Sequence, residues 1–123
     1  MKQFAFAVLF ALSFNSAGYA AATKPKIGFI LSTMQEERYQ RDKRVFEETA
    51  KKLGAEVVFA SCNNSEQTQA AEVDNMLSKG VKVLVIQPVN GDTASSFVRQ
   101  AKADDVAVVA YDRLIKNVPL DAY

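Results

Sequence analysis

The chain has no histidine and no tryptophan, a single cysteine at position 62, and only five glycines and three prolines in 123 residues. Without histidine there is no imidazole base, so Ser-His-Asp and Cys-His hydrolysis are excluded, as are the usual zinc ligand sets. A lone Cys62 forms no disulfide within the chain, and a partly buried, inert thiol is expected. The glycines also stand in the wrong places for nucleotide chemistry. The turn after the first apolar segment reads Ser32-Thr33-Met34-Gln35, which is neither G-x-G-x-x-G nor G-x-x-x-x-G-K-[ST]. A phosphate-accepting receiver would end its third strand in Asp, where this chain has Gln87-Pro88. Glu36 and Glu37 are adjacent glutamates at a helix start, a placement that complements the helix dipole better than it serves acid-base work. No catalyst, metal site or cofactor is expected.

One stretch is apolar but for Ser13, Phe4–Phe14, and at about 11 residues it falls short of the roughly 20 that span a bilayer. It follows Lys2 and leads to small residues ending Ala20-Ala21-Ala22, the layout of a secretory signal peptide over residues 1–22, with cleavage after Ala20 or Ala22. No Cys lies near that junction, so a lipid anchor is not expected. The mature chain, residues 23–123, should be free in an exported compartment, with no membrane insertion after the leader. Taking Lys2 from the 15 basic residues leaves 14 against 14 acidic ones. A near-neutral domain has no electrostatic footprint for nucleic acid or for an anionic membrane surface.

Apolar periodicity predicts an alternation of strands and helices. Lys26–Leu31 reads as a first strand, and Glu36–Leu53 as a helix with Tyr39, Phe46, Ala50 and Leu53 on one face, stopped by Gly54. Glu56–Ala60 reads as a second strand. Ser65 caps a helix that buries Ala70, Val73, Met76 and Leu77 and is closed by Gly80. Val81–Ile86 has the near-continuous apolar run of a strand covered on both faces. Asn90-Gly91-Asp92 turns into a third helix with Ala94, Phe97, Val98 and Ala101 inward, and Val106–Ala110 is a fourth strand. The alternation implies an α/β fold, an open parallel sheet with helices on both faces, in one domain without repeats or linkers.

Polar groups collect where these strands run out. Arg38 and Tyr39 follow the first, Asn63-Asn64 the second, Asn90 the third, and Asp112-Arg113 the fourth. In an open parallel sheet, ligands bind outside the carboxyl ends of the strands. Each group has an ordinary structural reading as well: Arg38 as solvated surface, Tyr39 packed beneath the sheet, Asn90-Gly91 as a turn, Asp112-Arg113 as a surface ion pair. Together on one rim they form a set suited to a polyhydroxylated ligand: a guanidinium fork, an aromatic ring, an amide and a carboxylate.

Specific segments carry a resemblance: Lys26-Ile27-Gly28-Phe29, Glu36-Glu37-Arg38-Tyr39-Gln40-Arg41-Asp42, Glu66-Gln67-Thr68-Gln69, Val83 to Gly91, and Val109-Ala110-Tyr111-Asp112-Arg113. They resemble the amino-terminal lobe of periplasmic sugar-binding proteins of ABC transporters, nearest the D-xylose-binding branch. The resemblance implies one Rossmann-like lobe of a type I binding protein, a non-enzymatic importer component that binds a pentose or other aldose and docks on an ABC transporter permease. It implies hydrogen bonds from Arg38 to sugar hydroxyls, a stacking ring at Tyr39, a hydroxyl contact or orienting role for Asn90, and Asp112 with Arg113 gripping two hydroxyls. Xylose binders of this kind carry Trp where Tyr39 stands, and an aliphatic residue where Gln87 stands.

Leu120-Asp121-Ala122-Tyr123 resembles the start of the crossover strand into a second lobe. The expectation is therefore a truncated unit with half a cleft, uncovered apolar surface, and self-association through that face. The rival reading is an extracytoplasmic ligand-sensing or interaction module partnering a membrane sensor. Repressor-type effector domains share such a fold but need a DNA-reading helix-turn-helix upstream, where the leader stands.

Overall fold

A computed structural model describes residues 23–123; the leader assigned to residues 1–22 lies outside the described residues. Four strands alternate with three helices: β1 (Lys26–Leu31), α1 (Glu37–Lys52), β2 (Glu56–Ser61), α2 (Glu66–Ser78), β3 (Val83–Ile86), α3 (Ser95–Ala103) and β4 (Ala107–Ala110). The strands form one parallel sheet in the order β2-β1-β3-β4. The chain leaves β1 toward one edge and later returns to its other side, so a topological switch point falls between β1 and β3, where a crevice opens at the carboxyl ends.

The pleat sends alternate residues to opposite faces, and each face has its own cover. Ile30, Leu84, Ile86, Val108 and Ala110 meet Val73 and Met76 of α2 and Phe97, Val98 and Ala101 of α3 in one closed core. Phe29, Leu31 and Val85 point the other way, toward Tyr39 and Phe46 of α1. Phe29 is the centre of that second layer, stacked on Phe46 at 4.3 Å and edge-on to Phe59 and Tyr111 at 5.9 and 5.6 Å. One helix does not cover four strands. Val83, Val109 and Tyr111 remain only half-buried, and Val45 on α1 is exposed.

Local signals explain the boundaries. Ser65 Oγ accepts from Thr68 N–H at 3.1 Å and starts α2. Gly54 and Gly80 end α1 and α2 at φ values of 83° and 73°, a backbone region that glycine enters without penalty. Leu53 departs from the helical stripe. It is the C-cap residue of α1 and 81% exposed, because the helical rotation stops at Lys52 and no longer directs it toward the sheet. The run expected as strand from Val81 pairs only from Val83. Val81 instead donates its N–H to Met76 O and tucks under the end of α2. Cys62 is fully rather than partly buried, inside the two-helix core, where burial pushes its thiol up to about 11.

Beyond β4 the chain runs back beside it. Ala110 N–H donates to Ala122 O, Asp121 N–H to Val108 O, and Val108 N–H to the Asp121 carboxylate at 2.8 Å. Val109 and Ala122 form a parallel bridge, so the last residues begin to extend the sheet.

Candidate functional site

The carboxyl ends of β1 and β3 meet at the switch point through side chains. Gln87 follows β3 directly and is completely buried. Its Oε1 accepts from Ser32 N–H at 2.9 Å and from Ser32 Oγ–H at 2.7 Å, so the loops after β1 and β3 are joined. Gln69 of α2 continues the network. Its Nε2 donates to Gln87 O and its Oε1 accepts from Val89 N–H, both at 3.0 Å. A buried amide set of this kind is stable because its polar atoms are paired.

Toward solvent the network ends on Asp112. Its Oδ2 accepts from Gln87 Nε2 at 2.7 Å, Arg38 Nη2 at 2.9 Å and the Tyr39 hydroxyl at 3.1 Å. Oδ1 accepts from Arg38 Nη1 at 3.0 Å, which completes a two-pronged pair between residues 74 positions apart. Arg38 also donates from Nη2 to the Tyr39 hydroxyl at 2.7 Å and from Nε to Glu36 at 3.4 Å. Its guanidinium carbon lies 4.4 Å from the centroid of the Tyr39 ring, a cation–π contact. The guanidinium, then Gln87 and Tyr39, hold the Asp112 carboxyl below the usual carboxylate range. Asp112 in turn drives the guanidinium further toward its charged form.

The backbone under Asp112 is itself unusual. Asp112 has φ 61°, and Arg113 N–H donates to Tyr111 O at 2.6 Å across it. This is a three-residue turn with a positive central φ, a rare and strained form. Strain of this kind, of order 1–3 kcal/mol, persists where the surroundings over-determine it, and it concentrates at functional sites. Tyr111, one residue earlier, donates its hydroxyl to Asp42 of α1 at 2.6 Å, and burial together with that carboxylate pushes it up to about 12.

Of the five residues singled out from sequence, the fold brings Arg38, Tyr39 and Asp112 into direct contact and sets Asn90 and Arg113 apart. Tyr39 is 1% exposed, so its ring is committed to the protein instead of standing open as a stacking platform; its first-turn position on α1 points it under the rim. Asp112 pairs with Arg38 and not with its sequence neighbour. Arg113 instead donates to Pro88 O at 3.3 Å. Asn90 serves its own turn: Oδ1 accepts from Asp92 N–H at 2.9 Å, and Nδ2 reaches Glu66 at 3.4 Å. Glu66 also accepts from Thr93 Oγ–H at 2.7 Å. Gly91 lies so close to the loop after β4 that a Cβ there would stand 2.5 Å from Leu114 O, and Lys116 N–H donates to Gly91 O at 2.9 Å.

Sequence reasoning missed Gln87, Ser32, Gln69 and Glu66. Gln87 had one readable signal, an amide directly at the carboxyl end of a strand that is otherwise wholly apolar. Among the described residues no group of three or more His, Cys, Asp or Glu is placed to hold a metal, and no helix is long and apolar enough to cross a membrane.

The four-stranded open parallel sheet with a polar rim at its switch point is an architecture the chain shares with solved ABC transporter solute-binding proteins, which places it as a lobe of the type I periplasmic binding protein fold. Residues 27–123 match the periplasmic binding protein domain, and the chain belongs to that family. It is 41% identical over 104 residues to the D-xylose-binding periplasmic protein of Escherichia coli K12, covering 85% of this chain and 32% of the relative. It is 40% identical over 98 residues to the protein of the same description from Haemophilus influenzae, covering 80% and 30%. The chain thus spans about a third of the length of these relatives. Among solved structures, it superposes with a TM-score of 0.72 and 36% identity on an ABC transporter solute-binding protein from Clostridium phytofermentans with bound β-D-glucose, covering 76% of this chain and 29% of that one.

Proposed function

We propose that this chain is the sugar-recognition lobe of an exported binding protein that serves an ABC importer. The observation that carries the reading is the Arg38–Asp112 pair at the switch point. Of the five N–H donors of a guanidinium, four are engaged, on Glu36, Tyr39 and both oxygens of Asp112. Among the described residues, one N–H of Nη1 and one lone pair of Asp112 Oδ1 have no partner. A donor and an acceptor side by side, with their charges mutually neutralised, suit a neutral hydroxyl, which accepts from one and donates to the other. Arg113 and Asn90, farther along the same rim, extend the contact to further hydroxyls. The xylose-binding relatives and the glucose-bound structure support an aldose as ligand, D-xylose first among those to test. The same kinship, with the leader-like residues 1–22, supports a periplasmic location and delivery to a permease.

Calorimetry of the chain with D-xylose tests the reading. A single lobe lines one side of a sugar and leaves the other hydrated, so the expected dissociation constant is millimolar, about −4 kcal/mol, against about −8 for a micromolar complex with both faces buried. Asp112→Ala should abolish the heat. Unchanged binding in that variant, or no heat with any aldose at 50-fold excess over about 1 mM, would remove this rim as the sugar site.

A further inference from the structure

We propose that Gln87 is the positioning residue of this rim: it carries the fixed geometry of the switch point, through Ser32, to the Asp112 carboxylate, and so sets which atoms of Asp112 and Arg38 face the crevice. The description of those atoms as ligand contacts rests on the sugar-binding reading. The mechanical link between Gln87 and Asp112 does not.

The orientation of the Gln87 amide follows from chemistry. Ser32 N–H is an obligate donor, so the atom 2.9 Å from it is the amide oxygen, and the NH2 group must then face Asp112. Two donors from Ser32 hold the oxygen, the backbone bond from Gln87 N–H to Ile30 O and the side-chain bond from Gln69 Nε2 to Gln87 O hold the residue, and full burial removes water as a competitor. Nε2 is thus aimed by the sheet itself. Its target, Asp112, sits on a strained turn just after β4. With Oδ2 occupied by Gln87, Arg38 Nη2 and the Tyr39 hydroxyl, the carboxylate presents only Oδ1 outward. Arg38 is then drawn into register, Nη2 inward and Nη1 outward. An aliphatic side chain of equal volume would fill the same space and supply none of this.

The test needs no ligand. In the wild-type chain, the side-chain amide resonances of Gln87 should move with the same pH midpoint as the Asp112 carboxyl carbon, which is also faced by Arg38 and Tyr39 from α1 and by Tyr111, its neighbour in the loop after β4. In Gln87→Met, which keeps length and volume but donates nothing, the Asp112 midpoint should rise and Arg38 Nη exchange should quicken by roughly tenfold, as expected for one lost charge-assisted hydrogen bond. A space-filling role for Gln87 would leave both unchanged in the Met variant, and that result overturns the proposal. If Gln87→Met does not fold, the wild-type titration decides: a Gln87 amide indifferent to Asp112 ionisation is equally fatal. A parallel titration with D-xylose separates the two ideas. Coupling between Gln87 and Asp112 without any xylose response supports the positioning role and overturns the sugar reading alone.

Discussion

The two faces of this sheet are made by the same four strands and finished to different degrees. On the face under α2 and α3, Ile30, Leu84, Ile86, Val73, Met76, Val98 and Val108 are fully buried, and even the thiol of Cys62 is sealed. On the face under α1, Phe29, Leu31, Tyr39 and Val85 form a smaller buried cluster, joined on the helix by Ala50, with Phe46, Val83, Val109 and Tyr111 half-exposed around them. Alternation along a strand dictates that both faces are apolar; it does not dictate how many helices lie on each. The closed face therefore holds the fold together, and the α1 face carries both the apolar margin and, at its upper edge, the Arg38–Asp112 cluster.

Truncations on the two faces should separate them most widely. Leu84→Ala, which opens a cavity in the closed core, should lower unfolding free energy by about 2–5 kcal/mol. Val109→Ala on the margin should cost under about 1 kcal/mol. Urea unfolding of both variants measures the gap, and equal losses would erase the contrast between the faces. If the margin mediates the self-association expected from the sequence, the wild-type chain should sediment as a dimer or larger at micromolar concentration and Val109→Lys as a monomer.

Chemical access gives a second, smaller contrast. Cys62, fully buried and with its thiol pushed up to about 11, should react with a thiol reagent only at the rate of opening of the closed face. Labelling as fast as a free cysteine would mean that this face breathes as readily as the other. The smallest effect is in acid. Asp112, depressed chiefly by Arg38, and Asp121, depressed chiefly by Val108 N–H, contribute stability that is complete above the unfolded carboxylate value near 3.9. That contribution is lost as pH falls below it through their folded values. Asp112→Asn should flatten the acid limb of a stability-versus-pH curve, while leaving the plateau near neutrality less affected than Leu84→Ala does.

The strands and helices could be read from the chain because Val83–Ile86 is wholly apolar and Phe97, Val98 and Ala101 keep helical spacing on α3, while on α2 Val73 and Met76 share the inward face with the polar Gln69. The ends were harder: Leu53 continues the stripe of α1 in sequence and leaves it in space, since one residue of C-cap geometry redirects it. The rim was legible as a list and not as a set of bonds. Arg38 and Asp112 announced themselves by standing after strands, yet their pairing spans 74 positions and was hidden behind the nearer candidate, Arg113. Gln87 was visible as a residue and not as a role. The value of an amide lies in its partners, and Ser32 and Asp112 are brought to it only by the order of strands in the sheet.

Gly91 shows how little material separates one arrangement of this rim from another. Its missing side chain lets the loop after β3 rest directly against Leu114 O, and Lys116 N–H donates to Gly91 O, so the two loops bearing Asn90 and Asp112 are in direct backbone contact. A single methyl group at Gly91 would act as a wedge, lifting Leu114 and tilting the strained turn two residues before it. The tolerance of the rim is thus set at a residue that brings no side chain of its own to the crevice.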